Sequence, residues 1–238
     1  MKTLWISTLA ILAASCGTEQ PAVPGFDSGT EADADTSGPP RYLPLAVGAT
    51  WTYHETDVVT GETGDRTTTV EAYEDVGPSH PGARSFRVRV EKLDATTVYW
   101  EGHQGDLTVR YRSDDYALDG HLVDRAINAP RRMKLDESAE HLVQGASYVL
   151  TWLETTIDIT GTSSSEPRTE RWDVISTSER VTVPAGSFDD ALHIRRTNTE
   201  SSRQKYKEYW YVRGIGKVKE LGGGQTEELI AYTTPGKP

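Results

Sequence analysis

A single cysteine, Cys16, is all that 238 residues contain. An intrachain disulfide is excluded, no thiolate cluster can hold a metal, and the fold must be held by burial alone. Positive charge is also in short supply: 25 lysines and arginines face 36 aspartates and glutamates, for a formal charge of -11. Contacts from basic side chains to phosphates supply most non-specific affinity for nucleic acid, so this balance argues against such a partner. The apolar run from Leu4 to Leu12 falls short of the roughly 20 residues that span a bilayer as a helix. No Gly-x-Ser-x-Gly elbow occurs and helical patterns do not alternate with strands, which removes the nucleophile turn of an α/β hydrolase.

The amino terminus does carry a signal. Lys2, the apolar run and the small residues Ala13, Ala14 and Ser15 have the layout of a secretory leader over residues 1–15. A leader cut a few residues later would discard Cys16. The string Leu-Ala-Ala-Ser-Cys resembles a bacterial lipobox, with Ala13 where leucine is commonest and Leu12 one place back. That resemblance implies cleavage before Cys16, diacylglycerol on its thiol and attachment to a membrane. Several acyl chains hold far more strongly than one, since each buried methylene contributes about 0.8 kcal/mol. Gly17, standing where aspartate would imply inner-membrane retention, implies the outer membrane. The expected location is the bacterial envelope.

Residues 16–40 are small, polar and acidic, with prolines 21, 24, 39 and 40 and no lysine or arginine. Too little apolar surface is present to offset the entropy of folding, so this segment is expected to be a tether. Its carboxylates at Asp27, Glu31, Asp33 and Asp35 lack the spacing and distal glutamate of a calcium loop.

Residues 41–238 are enough for one domain with a sizeable core. In "SFRVRVEKL", Phe86, Val88 and Val90 alternate with Arg87, Arg89 and Glu91, and in "LTVRYR", Leu107, Val109 and Tyr111 alternate with Thr108, Arg110 and Arg112. Period two means strand, with one face buried and the other wet. Ten or eleven such segments joined by short glycine-rich turns predict a mainly β domain: a large curved antiparallel sheet or partly open barrel. Residues 113–145, with "DDYALDGHLVDRAIN" and "LDESAEHLVQG", are expected to form a short helical or irregular insertion.

Candidate sites are few. Trp51, Trp100, Trp152, Trp172 and Trp210 sit in strands, where aromatics usually fill the core and sometimes line an apolar cavity. The six histidines are scattered; His121 and His141 are the pair that would meet across a helical insertion, and no metal or other cofactor is expected. The adjacent carboxylates Asp114–Asp115 and Asp189–Asp190 point to opposite faces of a strand, which separates them for two-carboxylate chemistry. Gly214, Gly216 and the triplet 222–224 read as hairpin turns where positive φ is required. No catalytic residue is assigned and the chain is not expected to be an enzyme.

Two fragments resemble uncharacterised bacterial envelope lipoproteins with one β-rich domain. One is "YLPLAVGATWTY"; the other is "VTVPAGSFDDALHIRRT" followed by "YWYVRGIGKVKE", with Val183, Pro184, Ala185, Gly186, Phe188, Tyr209, Tyr211, Gly214, Gly216 and Val218 carrying the match. A hairpin corner follows physically, in which Pro184 fixes φ, Gly186 permits the turn and Phe188 tucks onto the core. The resemblance extends distantly to the half-barrels that carry lipoproteins. The anchor, the tether and the missing catalytic groupings imply a non-catalytic binding or structural module with an envelope protein as partner; the curved sheet and strand aromatics give the alternative, a carrier of a lipid or other apolar ligand.

Overall fold

The computed structural model describes residues 39–199 and 205–235. Cys16, the leader and nearly all of the tether lie outside the described residues. Twelve strands follow in chain order. They are β1 (Thr50–Asp57), β2 (Thr63–Asp75), β3 (Arg84–Glu91), β4 (Thr96–Gln104), β5 (Leu107–Tyr116) and β6 (Leu122–Asp136), then β7 (Ser147–Asp158), β8 (Ser163–Val183), β9 (Gly186–Asn198), β10 (Lys205–Val212), β11 (Gly216–Gly222) and β12 (Gln225–Thr233). Each pairs antiparallel with its sequence neighbour, and β1 pairs with β12 from Thr50↔Thr233 to Asp57↔Gln225. The result is a closed up-and-down barrel. Closure leaves no unpaired edge, so the ring needs no strand from elsewhere.

Two expectations are corrected here. The barrel is closed, because β12 has a full ladder waiting in β1, whose register the sequence pattern did not reveal. The helical insertion at 113–145 does not exist: the segment holds the end of β5, a turn, all of β6 and a loop. Asp114, Arg112 and Arg125 explain the misreading. Arg125 forks onto the Asp114 carboxylate at 2.8 and 2.7 Å and Arg112 reaches it at 3.1 Å, so a polar stretch is stitched across two strands instead of coiling. Pairing of β6 with β7 stops at Ala129↔Leu153. Pro130 follows and has no N–H to continue the ladder.

One end of the barrel carries the β2–β3, β4–β5, β6–β7, β8–β9 and β10–β11 turns; we call it the near end. Residues 40–46 cross it. The Arg41 guanidinium donates to the Gly105 carbonyl at 2.7 Å, the Tyr42 amide to Glu137 Oε2 at 2.9 Å, and the Gly214 amide to the Arg41 carbonyl at 2.7 Å. Arg213 lies 4.1 Å over the Tyr42 ring. Three separate turns thereby pin the segment.

The expected hairpin corner forms as a two-residue turn at Pro184–Ala185 with Val183 facing Gly186. Its tip docks sideways: the Ala185 amide donates to the Leu229 carbonyl of β12 at 2.9 Å, and Phe188 packs against the cluster that contains Val181, Val183 and Leu229. Gly214 and Gly216 take φ of 71° and 112° around the β10–β11 turn. A Cβ on Gly216 would sit 3.1 Å from Trp51 Nε1, whose N–H donates to the Ile215 carbonyl at 2.5 Å. Gly216→Ala is therefore expected to cost about 1–3 kcal/mol, from left-handed strain and crowding together. Chemical denaturation of the variant reads this directly, with a shifted midpoint at unchanged slope.

Candidate functional site: a cationic cavity inside the barrel

The barrel interior holds a partly open cavity of about 310 Å³. Leu43, Pro44 and Leu45 from the crossing segment border it toward the near end, and Lys92 and Gln225, beside the β3–β4 and β11–β12 turns, border it toward the other. Between them the wall is heavily charged. Eight cationic side chains and three carboxylates line it among the described residues, in a chain whose overall charge is -11.

Strand alternation places them there. On β4, Tyr99 and Glu101 face in while Val98 and Trp100 face out; on β5, Arg110 faces in while Val109 faces out. The outward apolar residues are still buried, since Val76 and Ala83, which flank the β2–β3 turn, pack with Val98, Trp100, Val109 and Tyr111 in one cluster. This inverts the expected wet face of "LTVRYR". The loop covers the apolar side and leaves the arginine to the interior.

Arg110 forks onto Glu101 at 2.9 and 2.7 Å and stacks 3.3 Å over the Tyr99 ring. Burial works to raise the Glu101 carboxyl, but the Arg110 guanidinium, with Lys134 and Arg132, outweighs it and holds the group below the usual carboxylate range. Arg132 donates to Glu170 at 2.7 Å, and Arg196 approaches the same oxygen at 3.6 Å. Lys217 bridges Glu220 and Glu227 at 2.5 Å each, and Arg66 donates to Glu227 at 2.6 Å. These two carboxyls are held down, chiefly by the Lys217 ammonium against the opposing effect of burial.

Pairing is incomplete. Lys134 makes neither a hydrogen bond nor an ion pair with a described residue. Burial drives its ammonium well below the usual lysine range; Arg110 pushes the same way, Glu101 opposes, and Arg132 and Arg196 add to the depression. The Nε donors of Arg66 and Arg132 are buried without an acceptor among the described residues, and Glu170 Oε2 is buried without a donor. Tyr53, Tyr209 and Tyr211 also line the wall, and burial lifts all three phenols, Tyr53 to about 12. They stay protonated at neutral pH; Tyr53 already donates its O–H to the Lys217 carbonyl at 2.9 Å, and Tyr209 and Tyr211 are the other phenols on the wall. Arginine forks, an unpaired lysine and phenolic donors around one space are the groups that bind carboxylate or phosphate.

Among the five tryptophans, only Trp51 lines this cavity. Trp100, Trp172 and Trp210 belong to packed clusters, and Trp152 is buried with Arg132 at 5.2 Å from its ring. Core filling is therefore the main role of these rings. His121 pairs with Asp119 in the β5–β6 turn while His141 bonds Asp136 at 2.6 Å after β6, at the other end of the barrel. No group of metal-ligating side chains occurs among the described residues. Asp114 is tied to arginines and its neighbour Asp115 accepts from Thr97 at 2.5 Å, so the pair is divided as alternation requires. Sequence reasoning missed Arg110, Arg132, Lys134 and Arg196 as site residues; the one available signal was charge recurring inside apolar strands, as in "RRMKL" and "ALHIRR".

The outer wall also carries ion pairs, including Glu71 with Arg87 and Arg89, and Arg195 with Glu208. A membrane-spanning barrel instead presents a continuous apolar band there.

No family model matches the chain, and no curated protein matches it in sequence. Two solved structures are similar in outline. One is a Bacteroides fragilis protein inferred to be exported and described as having a YmcC-like fold, at 11% identity and a TM-score of 0.48; it covers 82% of this chain and 100% of its own. The other is an inferred lipoprotein of Parabacteroides distasonis, at 12% identity and a TM-score of 0.42 with the same coverage.

Proposed function

We propose that the chain is an envelope lipoprotein, held through Cys16 at the outer membrane, whose barrel is a non-catalytic binding module for a small anion bearing carboxylate or phosphate groups. The observation that carries this reading is the crowding of eight basic side chains around one space against five carboxylates, Glu55 and Glu170 included, with Arg66 Nε and Arg132 Nε left without an acceptor among the described residues and the Lys134 ammonium depressed by the guanidiniums beside it. Keeping charge out of water is costly unless it is compensated, and a bound anion supplies the compensation. An apolar ligand would leave those cations unmet, which places the anion ahead of a lipid tail.

Thermal melting of the purified chain tests it. Citrate, inorganic phosphate and a sugar phosphate are compared with sodium chloride at equal ionic strength and with dodecanol. At 100 times the dissociation constant a ligand adds about 2.7 kcal/mol, which for a chain of this size is roughly 5–11 °C. A rise with one or more multivalent anions alone supports the reading; no anion effect, or a rise only with the apolar probe, overturns it.

A further inference from the structure

The far end of the barrel carries the β1–β2, β3–β4, β5–β6, β7–β8, β9–β10 and β11–β12 turns, and its first four turns in succession end in bare aliphatic side chains. Val58 and Val59 are 62% and 86% exposed, Leu93 86%, Leu118 77% and Ile159 65%. Up-and-down topology sets these consecutive hairpins side by side, so their tips form an arc around the rim. Turn tips ordinarily carry glycine, asparagine, aspartate, serine or proline. At the near end the exposed aliphatics are Val143 in the β6–β7 loop and Val47 just before β1, 54% and 50% exposed, and they do not fall on consecutive hairpins.

From this arc we infer that the far rim docks on a lipid bilayer with an uncharged, zwitterionic surface. Aliphatic tips on separate hairpins do not make a groove for a peptide. They suit shallow insertion at the boundary between headgroups and acyl chains. Two of these turns are fixed by an aspartate: Asp57 accepts from the Val59 and Thr60 amides at 2.8 Å, and Asp158 from the Thr160 and Thr162 amides at 2.8 and 2.9 Å. Those aspartates, with Asp94 and Asp119, stand beside every tip. A row of carboxylates is repelled by anionic lipid, which selects a zwitterionic surface. Geometry permits contact with a membrane that also holds the anchor, because the chain between Cys16 and Pro39 can extend about 80 Å. The inference rests on the turns and is independent of what the cavity binds.

The test uses the chain from Gly17 onward, without lipid, which retains the whole closed barrel. Flotation with phosphatidylcholine vesicles is expected to carry the protein upward. The combined variant Val59→Asn, Leu93→Asn, Leu118→Asn and Ile159→Asn is expected to partition at least about tenfold more weakly, while Val143→Asn at the near end partitions as the parent does. Unchanged melting of both variants shows that the barrel is intact. Failure of the parent to float, equal flotation of the combined variant, or tighter binding to phosphatidylglycerol vesicles that survives the four substitutions overturns the inference. So does loss of a dimer in light scattering with no change in vesicle binding, which would make the rim a contact between copies.

Discussion

Lys134→Met is expected to melt higher than the parent chain and to lose anion binding by about a hundredfold or more. Both effects have one cause. In the folded state burial and the guanidiniums of Arg110, Arg132 and Arg196 depress the Lys134 ammonium well below its ordinary range, whereas in the unfolded chain it titrates like any lysine. Between the depressed and the ordinary value the unfolded state holds a proton that the folded state does not. Stability therefore rises with pH across that window, and at neutral pH the lysine lowers it. Methionine of similar length has no proton to hold, and replacing buried charge by a fitted apolar side chain gains about 1–3 kcal/mol, roughly 2–4 °C for each kcal/mol. Binding runs the other way. An anion beside Lys134 restores its charge, so binding takes up a proton and weakens as pH rises through the depressed value. Calorimetry in two buffers of different ionisation enthalpy reads the proton, and the variant should take up none. A variant that melts lower, or that binds citrate as well as its parent, would place the anion elsewhere.

The strands were legible because period two survives in nearly all of them, and Phe86, Val88 and Val90 lie against the core as the pattern says. Closure was not, because antiparallel partners on either side of a strand leave the same alternation, and β1 bears no mark of whether its outer edge meets water or β12. The insertion was misread because Asp114, Asp115, Asp119 and Asp124 interrupt the apolar rhythm; the structure resolves this through Arg112 and Arg125, which neutralise Asp114 from neighbouring positions. The cavity was hidden for a related reason. A charged face of a strand normally faces solvent, so Arg110 reads as surface until the β2–β3 loop is known to cover the opposite side of its strand. Which face is wet is decided by a contact between positions 76–83 and 98–111, and periodicity carries no information about contacts at that separation. "YLPLAVGATWTY" was legible as a unit, and its parts do meet: Leu43, Leu45, Trp51 and Tyr53 all line the cavity.

Glu170→Gln should act on the same field with the opposite sign, destabilising the empty barrel and tightening its hold on an anion. Glu170 is buried, and its Oε1 accepts from Arg132 and stands 3.6 Å from Arg196. The amide has the same shape and keeps one accepting oxygen, but it turns an N–H₂ toward a guanidinium and removes the counter-charge of both arginines. Stripping one partner from buried ions costs about 3–5 kcal/mol, a fall in melting temperature of roughly 6–20 °C. The uncompensated guanidiniums then attract the ligand more strongly than before, so a saturating anion should recover about 2.7 kcal/mol at 100 times its dissociation constant. It should also bind more tightly than to the parent. Lys134→Met and Glu170→Gln thus move stability and affinity in opposite directions, and the sign of each change in both measurements is fixed by one assignment of charge. If Glu170→Gln lost stability and affinity together, Glu170 would be holding the wall in shape, with the ligand bound beyond the reach of Arg132 and Arg196. If it lost neither, the interior charges would be solvated well enough to do without partners, and the case for an anion in the cavity would fall with them.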